Sequence, residues 1–163
     1  MKSRYLFLLI AALLMSLGVS FAQEVQEKTP VTLGGVWQMC FYHSVSPDIP
    51  GELKTSNSLK ILTDDGHFCN LVMMPQGAII IGSGTYKVKS PGVYTEYVEK
   101  NIHLPQLNGQ TNDLYFELKE NGTLMYIKYY LKNDLNGNEI NSWNHEIWKK
   151  VEMPTSYPEN IVR

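Results

Sequence analysis

Asp113-Leu114-Tyr115-Phe116-Glu117-Leu118-Lys119, then Glu120-Asn121-Gly122, then Thr123-Leu124-Met125-Tyr126-Ile127-Lys128-Tyr129-Tyr130-Leu131: this stretch decides the fold. In its first arm Leu114, Phe116 and Leu118 alternate with Tyr115 and Glu117. Period-2 alternation of this kind puts apolar side chains on one face of a strand and polar ones on the other. Asn and Gly at the centre tolerate positive φ, which a tight turn between antiparallel strands requires. The second arm is rich in aromatic and apolar residues that suit a pleated, half-buried surface. The stretch therefore reads as an antiparallel hairpin.

Working outward, the same pattern recurs along the chain. Segments rich in Val, Ile, Thr, Tyr, Phe and Trp span residues 35–43, 58–63, 67–73, 82–89, 93–100, 113–119, 123–131 and 141–151, with 78 as an alternative start for the fourth. Gly, Pro, Asn and Asp separate them, and no stretch sustains apolar residues at helical spacing. The expected fold is all-β: a single antiparallel, up-and-down barrel of about eight strands with little helix. Tight turns are expected at Asp64-Asp65-Gly66, Ser90-Pro91-Gly92 and Glu120-Asn121-Gly122, and longer loops over 44–57, 74–81, 101–112 and 132–140. Alternate connections of a meander fall at opposite ends, so the long loops gather at a mouth and the tight turns at a closed base. Closure removes the two edges that an open sheet would leave unpaired, and about eight strands leave room for one small ligand.

The N-terminus has the features of a secretory signal. Lys2 and Arg4 precede an apolar run from Leu6 to Val19, and Ser20-Phe21-Ala22 offers small residues at the cleavage positions. The run is short beside the roughly 20 apolar residues of a membrane span. Cleavage after Ala22 is expected, with export to a secreted or periplasmic location and no membrane span in the remainder. The domain plan is then a signal peptide (1–22), a polar lead-in (23–31), one barrel domain (32–152) and an extended tail (153–163). The 163 residues less those 22 leave 141, enough for one core and too few for two.

The leader holds two of the 14 basic residues and none of the 16 acidic ones, so the remainder carries −4. Lacking a basic cluster beyond Lys149-Lys150, it is not expected to bind nucleic acid or anionic membrane. Cys40 and Cys69 fall on strands with another strand between them, about 9–10 Å apart, which is beyond bridging distance. They are read as free thiols. Four scattered His residues and two Cys make no metal-ligand pattern, no cofactor is implied, and His43, His67, His103 and His145 have no nucleophile partner for a triad. Asp64-Asp65-Gly66 lacks the spaced ligands of a calcium loop, and a hairpin turn accounts for it. A monomer or weak oligomer is expected.

Gly35-Val36-Trp37 opens the first strand with a G-x-W motif. Gly84-Thr85-Tyr86, Tyr94-Thr95-Glu96 and Glu146-Ile147-Trp148-Lys149 follow along the chain. Together they resemble the lipocalin-like domains of unknown function common in exported proteins of gut Bacteroidetes, of the DUF4488 kind. The resemblance covers roughly Thr32 to Glu152 and implies a calycin-type barrel with little indication of ligand. In lipocalins an arginine of the last strand often packs over the G-x-W tryptophan. Lys149 and Lys150 occupy that neighbourhood here, and a lysine stem can cover the indole. Gly35, Trp37, Trp148 and Lys149 are thus the expected structural base.

Strand parity gives an expected interior. Trp37, Met39, Phe41 and His43 share one face of the first strand, and Tyr94, Glu96 and Val98 share one face of the fifth. On the last strand, packing of Trp148 on Trp37 turns Asn144 and Glu146 inward, while the opposite register would bury Trp143, His145 and Ile147. Phe41, His43, Tyr94, Glu96, Val98, Phe116 and Glu146 are the candidate ligand contacts. Buried carboxylates need partners, and Lys128, His43, Tyr hydroxyls, water or a ligand could supply them for Glu96 and Glu146. Either the two carboxylates orient a ligand, or each simply satisfies the core.

Three functions follow from this reading. One is a binding protein for a small apolar or amphipathic molecule. Another is an enzyme using its inward carboxylates for acid/base chemistry. The third is a module binding protein or glycan through mouth loops at Ile49-Pro50 or Pro105-Gln106-Leu107.

Overall fold

The computed structural model describes residues 32–44, 51–134, 136–152 and 154–156. The signal-peptide reading, the lead-in, the Ile49-Pro50 loop and most of the tail lie outside the described residues.

Eight antiparallel strands run in order: β1 Gly35–His43, β2 Glu52–Leu62, β3 His67–Met74, β4 Gly77–Ser90, β5 Val93–Asn101, β6 Thr111–Lys119, β7 Leu124–Asn133 and β8 Glu139–Lys150. Each pairs with the next, and β1 pairs with β8, closing a barrel. The closing ladder is short, running from Trp37 opposite Lys150 to Cys40 opposite Ile147. The opening hairpin of the sequence argument is β6–β7, with Phe116 opposite Ile127. Its turn holds positive φ at Glu120, Asn121 and Gly122, which is why Asn-Gly sits there.

Two connections differ from the sequence reading. The polar stretch from Glu52 to Asn57 is strand, not loop, because it pairs with the upper part of β1, His43 lying opposite Glu52. The β3–β4 link is a two-residue turn at Pro75-Gln76, with Met74 opposite Gly77. The mouth therefore carries three longer connections and one tight hairpin.

The base half is solidly packed. Trp37, Leu33, Leu62, Phe68, Tyr94, Met125 and Trp148 are all buried, and Trp37 is 0% exposed. The indole N–H of Trp37 donates to the carbonyl of Leu33 at 2.9 Å, so its one polar group is satisfied. Lys150, rather than Lys149, supplies the cation over Trp37, its Nζ lying 5.3 Å from the ring centroid. Lys149 is exposed and opposite Gln38. Cys40 and Cys69 are free thiols.

Gly84 shows why the motif needs a glycine. A Cβ there would overlap the carbonyl oxygen of Tyr97 and stand 2.8 Å from Cε1 of Phe68. Gly84→Ala is expected to destabilise the barrel by about 1–3 kcal/mol, the usual cost of overpacking. Urea unfolding measures it, and a loss under about 0.5 kcal/mol, the range of a neutral surface change, would contradict this close approach.

Candidate functional site

Above the packed base the barrel is hollow. A cavity of about 280 Å³ is walled by Met39, Leu71, Val72, Ile81, Leu107 and Leu114, and polar side chains enter it from six strands. The polar groups begin where the packing ends.

Lys60 on β2 and Glu96 on β5 reach toward each other across the interior, with Nζ 2.5 Å from Oε1. Their residues are only 3% and 5% exposed. The ammonium also lies 5.5 Å from the Phe68 ring and 5.6 Å from that of Trp148. The Tyr94 hydroxyl donates to the same Glu96 oxygen at 3.4 Å. This pair forms the cavity floor: both members line the cavity, while Trp37, Tyr94 and Phe68 lie packed in the core. A buried charge needs a close, well-bonded partner, and each supplies the other's.

Glu146 on β8 is held differently. Oε1 accepts from the Tyr129 hydroxyl at 2.9 Å, and Oε2 accepts from the Trp148 indole N–H at 2.8 Å. Among the described residues no Lys, Arg or His nitrogen forms an ion pair with it. Burial, reinforced by the Glu146 charge, pushes the Tyr129 hydroxyl far above an ordinary phenol. Burial, with the Glu96 charge second, does the same at Tyr94. Both phenols therefore stay protonated and donate to their carboxylates. Asn70 also lines the cavity, and its buried Oδ1 has no hydrogen-bond partner among the described residues.

The candidate residues of the sequence reading are distributed unevenly over this site. Glu96 and Glu146 line the cavity, and the inward register of β8 holds, with Trp143 exposed at 47% on the outside. Tyr94, Val98 and Phe116 are buried members of the core cluster, not cavity lining. Phe41 and His43 are both exposed and outside the cavity. The reason is local. The β1–β2 register shifts between Gln38 and Cys40, and pairing to β8 stops at Cys40, so simple alternation fails above that point. Lys128 is no partner for the carboxylates either, since it projects outward between Tyr115 and Trp143, 5.7 and 5.4 Å from their rings.

Lys60, Asn70, Asn112 and Tyr129 were missed. Lys60 had a signal, because Ser58, Lys60 and Leu62 share a face of β2 and Leu62 must be inside. A lone lysine in a strand ordinarily faces water, and its partner lies 36 residues away.

A second depression, about 520 Å³, lies on the outer wall, where Tyr115, Glu117, Tyr126, Lys128, His145 and Ile147 meet Cys40 and Phe41 at the β1–β8 seam. It is the larger of the two. The inner cavity is the better candidate, because Lys60, Glu96 and Asn112 are buried there and Glu146 is held by two hydrogen bonds, whereas Lys128 and His145 outside face solvent. Among the described residues no cluster of three or more His, Cys, Asp or Glu could hold a metal ion, and no helix is long and apolar enough to cross a membrane.

Chemically, the cavity offers an apolar wall, one internally paired cation and two oriented carboxylates. Comparison with curated proteins yields no match. A family model described as a domain of unknown function, DUF4488, matches residues 32–159, which takes in the whole barrel. The chain belongs to the DUF4488 family.

Proposed function

We propose that this is an exported, lipocalin-like binding protein that holds one small amphipathic molecule in the upper half of its barrel. The observation that carries the reading is the division of the interior: a packed base, a buried ion pair as floor, and an apolar chamber above it with a few oriented polar groups. That combination is the usual make-up of a small-molecule site. A chamber of about 280 Å³ suits a compact guest rather than a long lipid.

Titration with the neutral fluorophore N-phenyl-1-naphthylamine tests this. Saturable binding with a stoichiometry of one is expected. Ser58 lines the chamber, so Ser58→Trp should fill it and weaken binding by about tenfold or more, equivalent to 1.4 kcal/mol, with the circular dichroism unchanged. Equal affinity of the folded variant and the parent would contradict the reading.

A second reading, docking of a partner at the mouth, draws support from the β3–β4 hairpin. Met73, Met74, Ile79 and Ile80 are 47%, 42%, 49% and 62% exposed there. Leu107, expected at the mouth surface, packs on the core instead. Under this second reading, charges placed at Ile79 and Ile80 would abolish function and filling the chamber would not.

A further inference from the structure

We propose that the guest is an organic cation, a primary or secondary ammonium on a compact apolar body; this rests on the cavity-binding reading above. The argument is a count of what the chamber has left to offer. Its only ammonium among the described residues, Lys60, is committed to Glu96 at 2.5 Å and covered by Phe68 and Trp148. Its phenol and indole donors, Tyr129 and Trp148, are committed to Glu146, and Tyr94 beneath the floor donates to Glu96. An anionic guest would therefore meet no free cation at the floor. His103 lines the chamber but is exposed.

The acceptors are in surplus. Glu146 holds two neutral donors and no ion-pair partner among the described residues, and Asn70 Oδ1 is buried without a donor. Lys60, Glu96 and Glu146 together carry a formal charge of one negative unit. At a part-buried carboxylate such as Glu146, this imbalance favours a cation and opposes an anion more than it would at the open surface. An ammonium supplies both the missing positive charge and donors for the remaining lone pairs of Glu146. Asn101 and Asn112 also line the chamber. Their amides serve either sign of guest and do not alter the preference.

The test uses three probes of one shape: 2-phenylethylamine, 2-phenylethanol and 3-phenylpropionate. Each is titrated into the parent chain and into Glu146→Gln by calorimetry, with circular dichroism to check the fold of the variant. The amine is expected to bind about tenfold or more tighter than the carboxylate, with the alcohol between them, and Glu146→Gln is expected to remove most of that gap. If the variant fails to fold, the order of the three probes on the parent chain still decides. A carboxylate that binds as well as the amine overturns the proposal, as does an amine affinity untouched in folded Glu146→Gln. So does binding of the naphthyl fluorophore with none of the three phenyl probes; in each of these cases cavity binding itself survives. Failure of the fluorophore as well as the three probes removes the cavity reading and the cation proposal together.

Discussion

Glu96→Ala is expected to cost about 3–5 kcal/mol of folding stability, among the largest losses for any single substitution in the chain. The substitution leaves the Lys60 ammonium, 3% exposed, facing a void. The nearest aromatic rings lie 5.5 and 5.6 Å away and cannot replace a carboxylate at 2.5 Å. It also removes the acceptor of the buried Tyr94 hydroxyl. The double change Lys60→Met with Glu96→Leu removes both charges and restores apolar volume, and it should recover most of the loss, since paired replacement of buried ions is often neutral. Equilibrium unfolding in urea measures both. A loss below about 1 kcal/mol for Glu96→Ala, the value of an exposed pair, would show that water reaches the ammonium.

Trp37→Ala is the second large effect. The indole is fully buried at the centre of the base, in one cluster with Leu33, Leu62 and Trp148. Truncating a buried tryptophan to alanine costs about 3–5 kcal/mol in transfer and cavity terms. The lost indole N–H bond leaves the carbonyl of Leu33, a residue 1% exposed, without its side-chain donor. Trp37→Phe should fall between parent and alanine, keeping much of the volume but not the donor. The base is also where β1 and β8 close the barrel, from Trp37 opposite Lys150 to Cys40 opposite Ile147. Loss of near-ultraviolet circular dichroism in Trp37→Ala at a temperature where the parent is folded is the expected sign of a loosened seam. A penalty under about 1 kcal/mol would mean that the ring is not part of the packed base.

What was legible in the sequence follows the physics of strands. Period-2 alternation gave the inner face of β6 from Leu114, Phe116 and Leu118, because one face of that strand is apolar and the other is not. Packing of Trp148 against Trp37 chose between two registers of β8 that composition left open. The Asn-Gly and Asp-Gly turns showed where the chain reverses. The hidden parts depend on events that alternation does not encode. The irregular register of β1 against β2 put Phe41 outside. Residues Glu52 to Asn57, polar enough to resemble a loop, form a strand because the upper part of β1 needed a partner.

The site was half legible for the same reason. Glu96 stood out as a carboxylate between Tyr94 and Val98, and Glu146 as one turned inward beside Trp148. Lys60 and Tyr129 did not, because a lysine or tyrosine in a strand is ordinary until its partner is known. The partner of Lys60 lies across the interior, 36 residues away, and that of Tyr129 lies on the neighbouring strand, 17 residues away. A ligand pocket assembled from all eight strands has no short motif, so its chemistry emerges only once the strands are closed into a ring.

The central claim is that a guest sits inside the barrel, above the Lys60–Glu96 floor, and not in the larger groove on the outer wall. Methyl-labelled nuclear magnetic resonance on the chain saturated with the naphthyl fluorophore tests it directly. Intermolecular contacts to the methyl groups of Leu71, Val72, Ile81 and Leu114 are the predicted result. Contacts confined to Ile147 and its outer-wall neighbours, with the four inner residues silent, would contradict it.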